Sequence, residues 1–107
     1  MGLKNKEVII SHLARNSVRE IYEYIKTREK SSSTAHAVRQ AIIEKCLSLK
    51  EFSGYSKEPY LEDYPENYRS VSLWSYVIIF TVKDKKQIRV LNVVHGHQHP
   101  ESRKPTE

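Results

Sequence analysis

Three closely spaced histidines, His95, His97 and His99, follow the last apolar run of the chain. On an extended backbone residues two apart point the same way, so His97 and His99 could grip one metal ion, with His95 as a third ligand. No cysteine or carboxylate stands at zinc spacing beside them, and the same pattern suits strand-end imidazoles that are solvated or bonded to backbone. Neither a metal nor another cofactor is expected. Arg69 has two readings: an ion pair with Glu62, Asp63 or Glu66, or contact with an anionic partner. Trp74, flanked by Ser72 and Ser75, is either a partner hot spot or a lid on the core. The single cysteine, Cys46, sits among apolar residues at helical spacing and reads as core filler rather than a nucleophile. Ser31-Ser32-Ser33 contains no glycine and is a linker, not a phosphate cradle.

The elements that must position these residues follow from periodicity. Glu7-Val8-Ile9-Ile10 reads as a short strand, and Ser11 as the cap of a helix in which Ala14, Val18, Ile21, Tyr22 and Ile25 recur at three- and four-residue steps. Arg19 and Glu23 lie on its outer side at pair-forming spacing. After the serine run, Ser33 or Thr34 is expected to cap a second helix. Its stripe is Ala35, Val38, Ile42, Cys46 and Leu49, widened by Ile43 and Leu47. Two amphipathic helices with a short joint make a helical hairpin whose apolar stripes need a sheet.

That sheet comes late in the chain. Phe52 to Asn67, broken by Gly54, Pro59 and Pro65, reads as an irregular connection anchored by tyrosines. Val71 and Leu73 alternate with Ser70 and Ser72, as in a strand with one buried face. Tyr76 to Val82 has no alternation and predicts a central strand covered on both sides. A Lys83-Asp84-Lys85-Lys86 turn leads to a last strand that ends on His95-Gly96, where glycine is expected to let the chain turn away. Residues 100–107 are polar and read as a loose tail. The expected fold is α+β, in the order β-α-α-β-β-β, with the helical hairpin packed on a small, mainly antiparallel sheet. Residues 1–107 form one domain.

Composition narrows the function without naming it. Eighteen Lys and Arg against 13 Asp and Glu give a net charge of +5, which suits an anionic partner or serves solubility alone. No apolar run reaches membrane-spanning length and residues 1–6 have no signal-peptide core, so no membrane partner is expected. Lys6 stands where a myristoylation signal at Gly2 would need Ser or Thr. A lone thiol forms no intrachain disulfide and suits a reducing cytoplasm.

The chain resembles the RelE/ParE superfamily of bacterial toxins. The resemblance rests on Leu13 to Ile25, with Ala14 and Glu20-Ile21-Tyr22-Glu23-Tyr24-Ile25; on Arg69 followed by Val71 and Leu73; on Tyr76-Val77-Ile78-Ile79-Phe80; and on Val90-Leu91-Asn92-Val93-Val94-His95-Gly96. RelE-type members cleave mRNA on the ribosome, which needs proton-transfer groups and cations around the phosphorane. Here Ser70 and Ser72 stand where such relatives carry lysines, Val77 where they carry an arginine, and Gln98 in place of the arginine after His-Gly. If the chain were such a nuclease, His95, His97 and His99 would have to supply its acid and base.

The resemblance is therefore closer to ParE-type members, which act on DNA gyrase and are neutralised by a protein antitoxin. It implies a plasmid-stabilising toxin, cytoplasmic, that poisons gyrase by binding and forms a hetero-oligomer with its antitoxin. Arg69, His97, His99 and Arg103 are the implied target contacts; Ile21, Tyr22, Ile25 and Trp74 are the implied antitoxin contacts. The alternatives are a ribosome-dependent endoribonuclease and a non-toxic antitoxin-binding remnant.

Overall fold

The computed structural model describes residues 7–50, 68–83 and 87–96. The order is strand β1 (Glu7–Ile10), helices α1 (His12–Arg28) and α2 (Ser32–Ser48), then strands β2 (Arg69–Leu73), β3 (Tyr76–Lys83) and β4 (Gln87–His95). The sheet runs β1-β4-β3-β2. β1 lies parallel to β4, and the other neighbours are antiparallel. This is the expected α+β arrangement: a helical hairpin on a mainly antiparallel sheet. The expected connection from Phe52 to Asn67, the Asp84–Lys86 part of the turn and the tail beyond Gly96 lie outside the described residues.

Ser11 ties β1 and α1 to β4. Its backbone is extended, and its Oγ accepts from the Ala14 N–H at 3.0 Å, which caps α1. The same hydroxyl donates to the Leu91 carbonyl at 2.9 Å, while its N–H donates to the Val90 carbonyl at 2.9 Å. The first turn of α1 is thus fixed against β4, 80 residues away in sequence.

The second helix is capped by Ser31, two residues before Ser33 and three before Thr34, the expected caps. Ser31 is the last residue with extended backbone, and its Oγ accepts from the Thr34 N–H at 3.2 Å. Lys30, at φ 53°, supplies the left-handed step that reverses the chain after α1.

Both helices bury the stripes their periodicity predicts. Ala14, Val18, Ile42, Cys46 and Leu49 pack with Ile78, Phe80, Ile88, Val90 and Val93 in one core. Ile43 packs against its edge, whereas Leu47 is 45% exposed and does not widen the stripe. Burial pushes the Cys46 thiol up to about 12, so it stays protonated and inert at neutral pH.

β3 is covered on both faces, as its unbroken apolar run predicts. Ile78 and Phe80 face the helices, while Val77 and Ile79 join Tyr68, Leu91 and Val94 in a second buried cluster. The register slips between Ile79 and Phe80, which pair with Asn92 and Val90, so Leu91 is an extra residue bulged into β4.

Ser11→Ala should lower stability by about 1–2 kcal/mol, because it removes a cap and the hydroxyl's bond to the Leu91 carbonyl. Ser31→Ala, whose cap is exposed and reaches no strand, should cost less. Denaturant melts of the two variants check the ranking.

Candidate functional site

The chemistry-bearing side chains gather where β4 ends against α1. His95 pairs in register with Tyr76, and the two rings meet edge to face at 5.7 Å. Beside them a cleft of about 650 Å³ opens between α1, the start of α2 and the end of β4. Ile21, Ile25, Val38 and Val93 give it apolar walls, and Glu20, Tyr24, Glu29, Tyr76 and His95 stand around it.

Electrostatics limits what this cleft can do. No Lys or Arg is among the described residues that line it, and two carboxylates are. Desolvation, then the Glu29 carboxylate and the Tyr24 phenol, raise the Tyr76 phenol above its ordinary value, so it stays protonated near neutral pH. The cleft suits apolar and cationic groups better than phosphate.

Asn92 adds a directional contact to the wall. It is 6% exposed, and its Oδ1 accepts from the Ser17 hydroxyl at 2.6 Å and from the Val93 N–H at 2.8 Å. Among the described residues its amide nitrogen has no hydrogen-bond partner, which leaves two donors in the cleft wall.

On the other side of the sheet, Ser70 pairs with Ile79 and Ser72 with Val77. These positions, where RelE-type relatives are expected to carry cations, adjoin the second apolar cluster. Val77, Ile79, Leu91 and Val94 are all buried there.

Comparison with known proteins agrees with this architecture. A family model described as the ParE toxin of the type II toxin–antitoxin system parDE matches residues 8–100. The chain belongs to the ParE toxin family. A search of curated protein sequences found no match. Among solved structures, a chain of the chromosomal ParDE toxin–antitoxin system from P. aeruginosa superposes with a TM-score of 0.72 at 20% identity, covering 85% of this chain and 96% of that one.

Within this ParE-family fold the sequence-derived site residues disperse. Ile21 and Ile25 reach the cleft, but Tyr22 points to α2, where its hydroxyl lies 3.3 Å from His36 Nε2. The implied antitoxin contacts therefore do not form one patch, because Tyr22 is a 100° step around α1 from Ile21. Arg69 is half-buried at the far end of β2, opposite Phe80, and it is not without partners. Four strand residues, about 13 Å, separate it from the Tyr76–His95 end. His97, His99 and Arg103 lie outside the described residues, as do Glu62, Asp63 and Glu66. Among the described residues no group of three His, Cys, Asp or Glu could hold a metal, and no helix is long and apolar enough to cross a membrane.

Gly96 differs from its expected role. Its φ is not positive; its N–H donates to the Ser75 carbonyl at 2.6 Å, and an added Cβ would meet that oxygen at 3.2 Å. Small size, not backbone freedom, is what the position uses.

That contact braces the β2–β3 hairpin tip, where Trp74 is 66% exposed with φ 56°. A positive φ at the first of two loop residues is the place for glycine, so a tryptophan there is strained and makes no lid over the core. Trp74→Asn should raise stability by about 1 kcal/mol, since asparagine tolerates this backbone and little burial is lost. A thermal melt no higher than that of the unaltered chain would refute the strain.

Proposed function

We propose that this ParE-family chain is a toxin that acts by binding, poisons DNA gyrase in the cytoplasm and is neutralised by a cognate antitoxin in a plasmid-stabilising pair. The observation that carries this reading is the buried apolar cluster of Val77, Ile79, Leu91 and Val94. Cleavage of RNA by its own 2′-hydroxyl needs cations around the phosphorane, and losing one such stabiliser costs about 2.7–4 kcal/mol of barrier. The centre of the sheet face that would supply them is aliphatic, with serines at Ser70 and Ser72 and a cation only toward its end, at Arg89 opposite Thr81. His95 and Tyr76 meet at the edge of the cleft, but Glu20 and Glu29 beside it repel a phosphodiester. Arg69, His97, His99 and Arg103 are assigned to gyrase contact in this proposal, from the resemblance and their polar chemistry.

The cleft is the proposed antitoxin seat, giving a toxin–antitoxin hetero-oligomer. Its walls at Ile21, Ile25, Val38 and Val93 suit a row of apolar side chains, and the Asn92 amide can donate to a backbone carbonyl of the incoming segment. The carboxylates of Glu20 and Glu29 favour a segment with basic residues at this point, opposite to what the net charge of +5 suggests.

Two measurements test these readings. The purified chain should inhibit gyrase supercoiling and trap cleaved gyrase–DNA complexes, while leaving mRNA intact in a ribosome-containing assay. Rapid ribosome-dependent loss of mRNA with gyrase unaffected would reverse the assignment. Ile21→Glu should abolish most copurification with the protein encoded by the neighbouring gene, with the melt showing a folded chain; undiminished copurification would move the antitoxin elsewhere.

A further inference from the structure

The outer side of the helical hairpin carries a feature outside the gyrase and antitoxin contacts proposed above. Arg15, Arg19, Tyr22 and Lys26 follow one another at i, i+4, i+7 and i+11, which places them in a single row along α1. From α2, His36 and Arg39 complete the patch. The Arg39 guanidinium lies 5.5 Å and the Lys26 ammonium 5.9 Å from the Tyr22 ring centre, and the His36 ring meets it edge to face at 5.1 Å. Arg15, Arg19, Lys26, His36 and Arg39 are all exposed.

These cations are not neutralised. Arg15 donates to the Ile10 carbonyl and Arg19 to the Asn16 side chain, so Arg19 does not take the Glu23 partner that its spacing offers. Among the described residues none of Arg15, Arg19, Lys26 or Arg39 is ion-paired to a carboxylate. Glu20 and Glu29 line the cleft, while Glu23, exposed within one turn of Arg19 and Lys26, pairs with neither among the described residues. Four unpaired cations at close quarters repel one another, and an anion laid across them relieves that cost.

We propose that this row binds the phosphate backbone of duplex DNA, independently of sequence and of the antitoxin cleft. From Arg15 to Lys26 the row runs about 16 Å, close to five base-pair rises along the axis of a duplex. Three of its four cations are arginines, whose planar forks match phosphate oxygens. An acidic protein segment is the less suitable occupant. Tight peptide binding needs apolar anchors or a groove, and this face offers charged and polar side chains around one tyrosine that Lys26, His36 and Arg39 already flank. Phosphate contacts need neither.

The test is fluorescence anisotropy of a labelled 20-base-pair duplex with the purified full-length chain, across a range of salt. Four phosphate contacts predict a slope of log K on log salt of roughly −3.6. Arg19→Glu with Arg39→Glu should weaken binding by roughly tenfold or more, and Arg19→Gln with Arg39→Gln should flatten the slope by about 2. Arg28→Glu with Arg89→Glu changes net charge by the same amount at exposed positions outside the row, and should weaken binding much less. Melts of every variant establish folding. Equal loss in the two charge-reversed variants would assign the effect to net charge and overturn the proposal. So would absence of duplex binding at low salt, or equally strong binding of a polyglutamate peptide. Gyrase is absent from the assay, so its outcome is separate from the fate of the gyrase reading.

Discussion

A strand buried on both faces has nowhere to keep a charge, because removing an ionised group from water costs several kcal/mol unless a partner is buried with it. β3 and the facing half of β4 obey this constraint, with aliphatic or aromatic side chains at Val77 to Phe80 and at Val90, Leu91, Val93 and Val94. The centre of the sheet is therefore unavailable for phosphoryl chemistry. Ionisable groups are displaced to strand ends, the hairpin tip and the helical surfaces, and the cleft and the cationic row both lie in such places.

The exception in β4 illustrates the rule. Asn92 is buried and polar, but it sits beside the bulge and its carbonyl oxygen receives both the Ser17 hydroxyl and the Val93 N–H. The extra residue at Leu91 breaks the two-residue alternation of the strand. Leu91 enters the second cluster, while Asn92 reaches across to α1. Together with Ser11, which bonds the backbone of Val90 and Leu91, the bulge fixes the distance between α1 and the sheet on which the cleft depends.

The fold was legible in the sequence wherever a period governs burial. The stripes of α1 and α2, apart from Tyr22 and Leu47, and the unbroken run of β3 bury the side chains their spacing indicates, and Ser11 caps the helix it precedes. Local competition was harder to read. Three consecutive serines offer equivalent hydroxyls, and the choice of Ser31 is made by backbone conformation rather than side-chain chemistry. The strain at Trp74 is likewise a property of φ. Site residues grouped by nearness in sequence were dispersed, because one residue is 100° of helix and Ile21 and Tyr22 face different neighbours. The cleft needs the end of β4 beside α1, a contact some 70 positions apart that periodicity cannot disclose.

Net charge conceals more than it reveals in this chain. A value of +5 describes a chain that would meet acidic partners everywhere, whereas α1 gathers its basic residues Arg15, Arg19 and Lys26 on one side, with Glu23 beside them, and turns Glu20 to the cleft. Ser17, Ile21 and Tyr24 recur at i, i+4 and i+7 on the cleft side, with Glu20 beside them. Arg15, Arg19, Tyr22 and Lys26 repeat on the side half a turn away. The two rows differ by about 180° around one rigid helix, so a segment seated in the cleft leaves the cationic row in water. Two partners of opposite charge preference can then occupy α1 together, and neither must displace the other. Their coupling would be limited to long-range electrostatics, screened within about 10 Å at moderate salt.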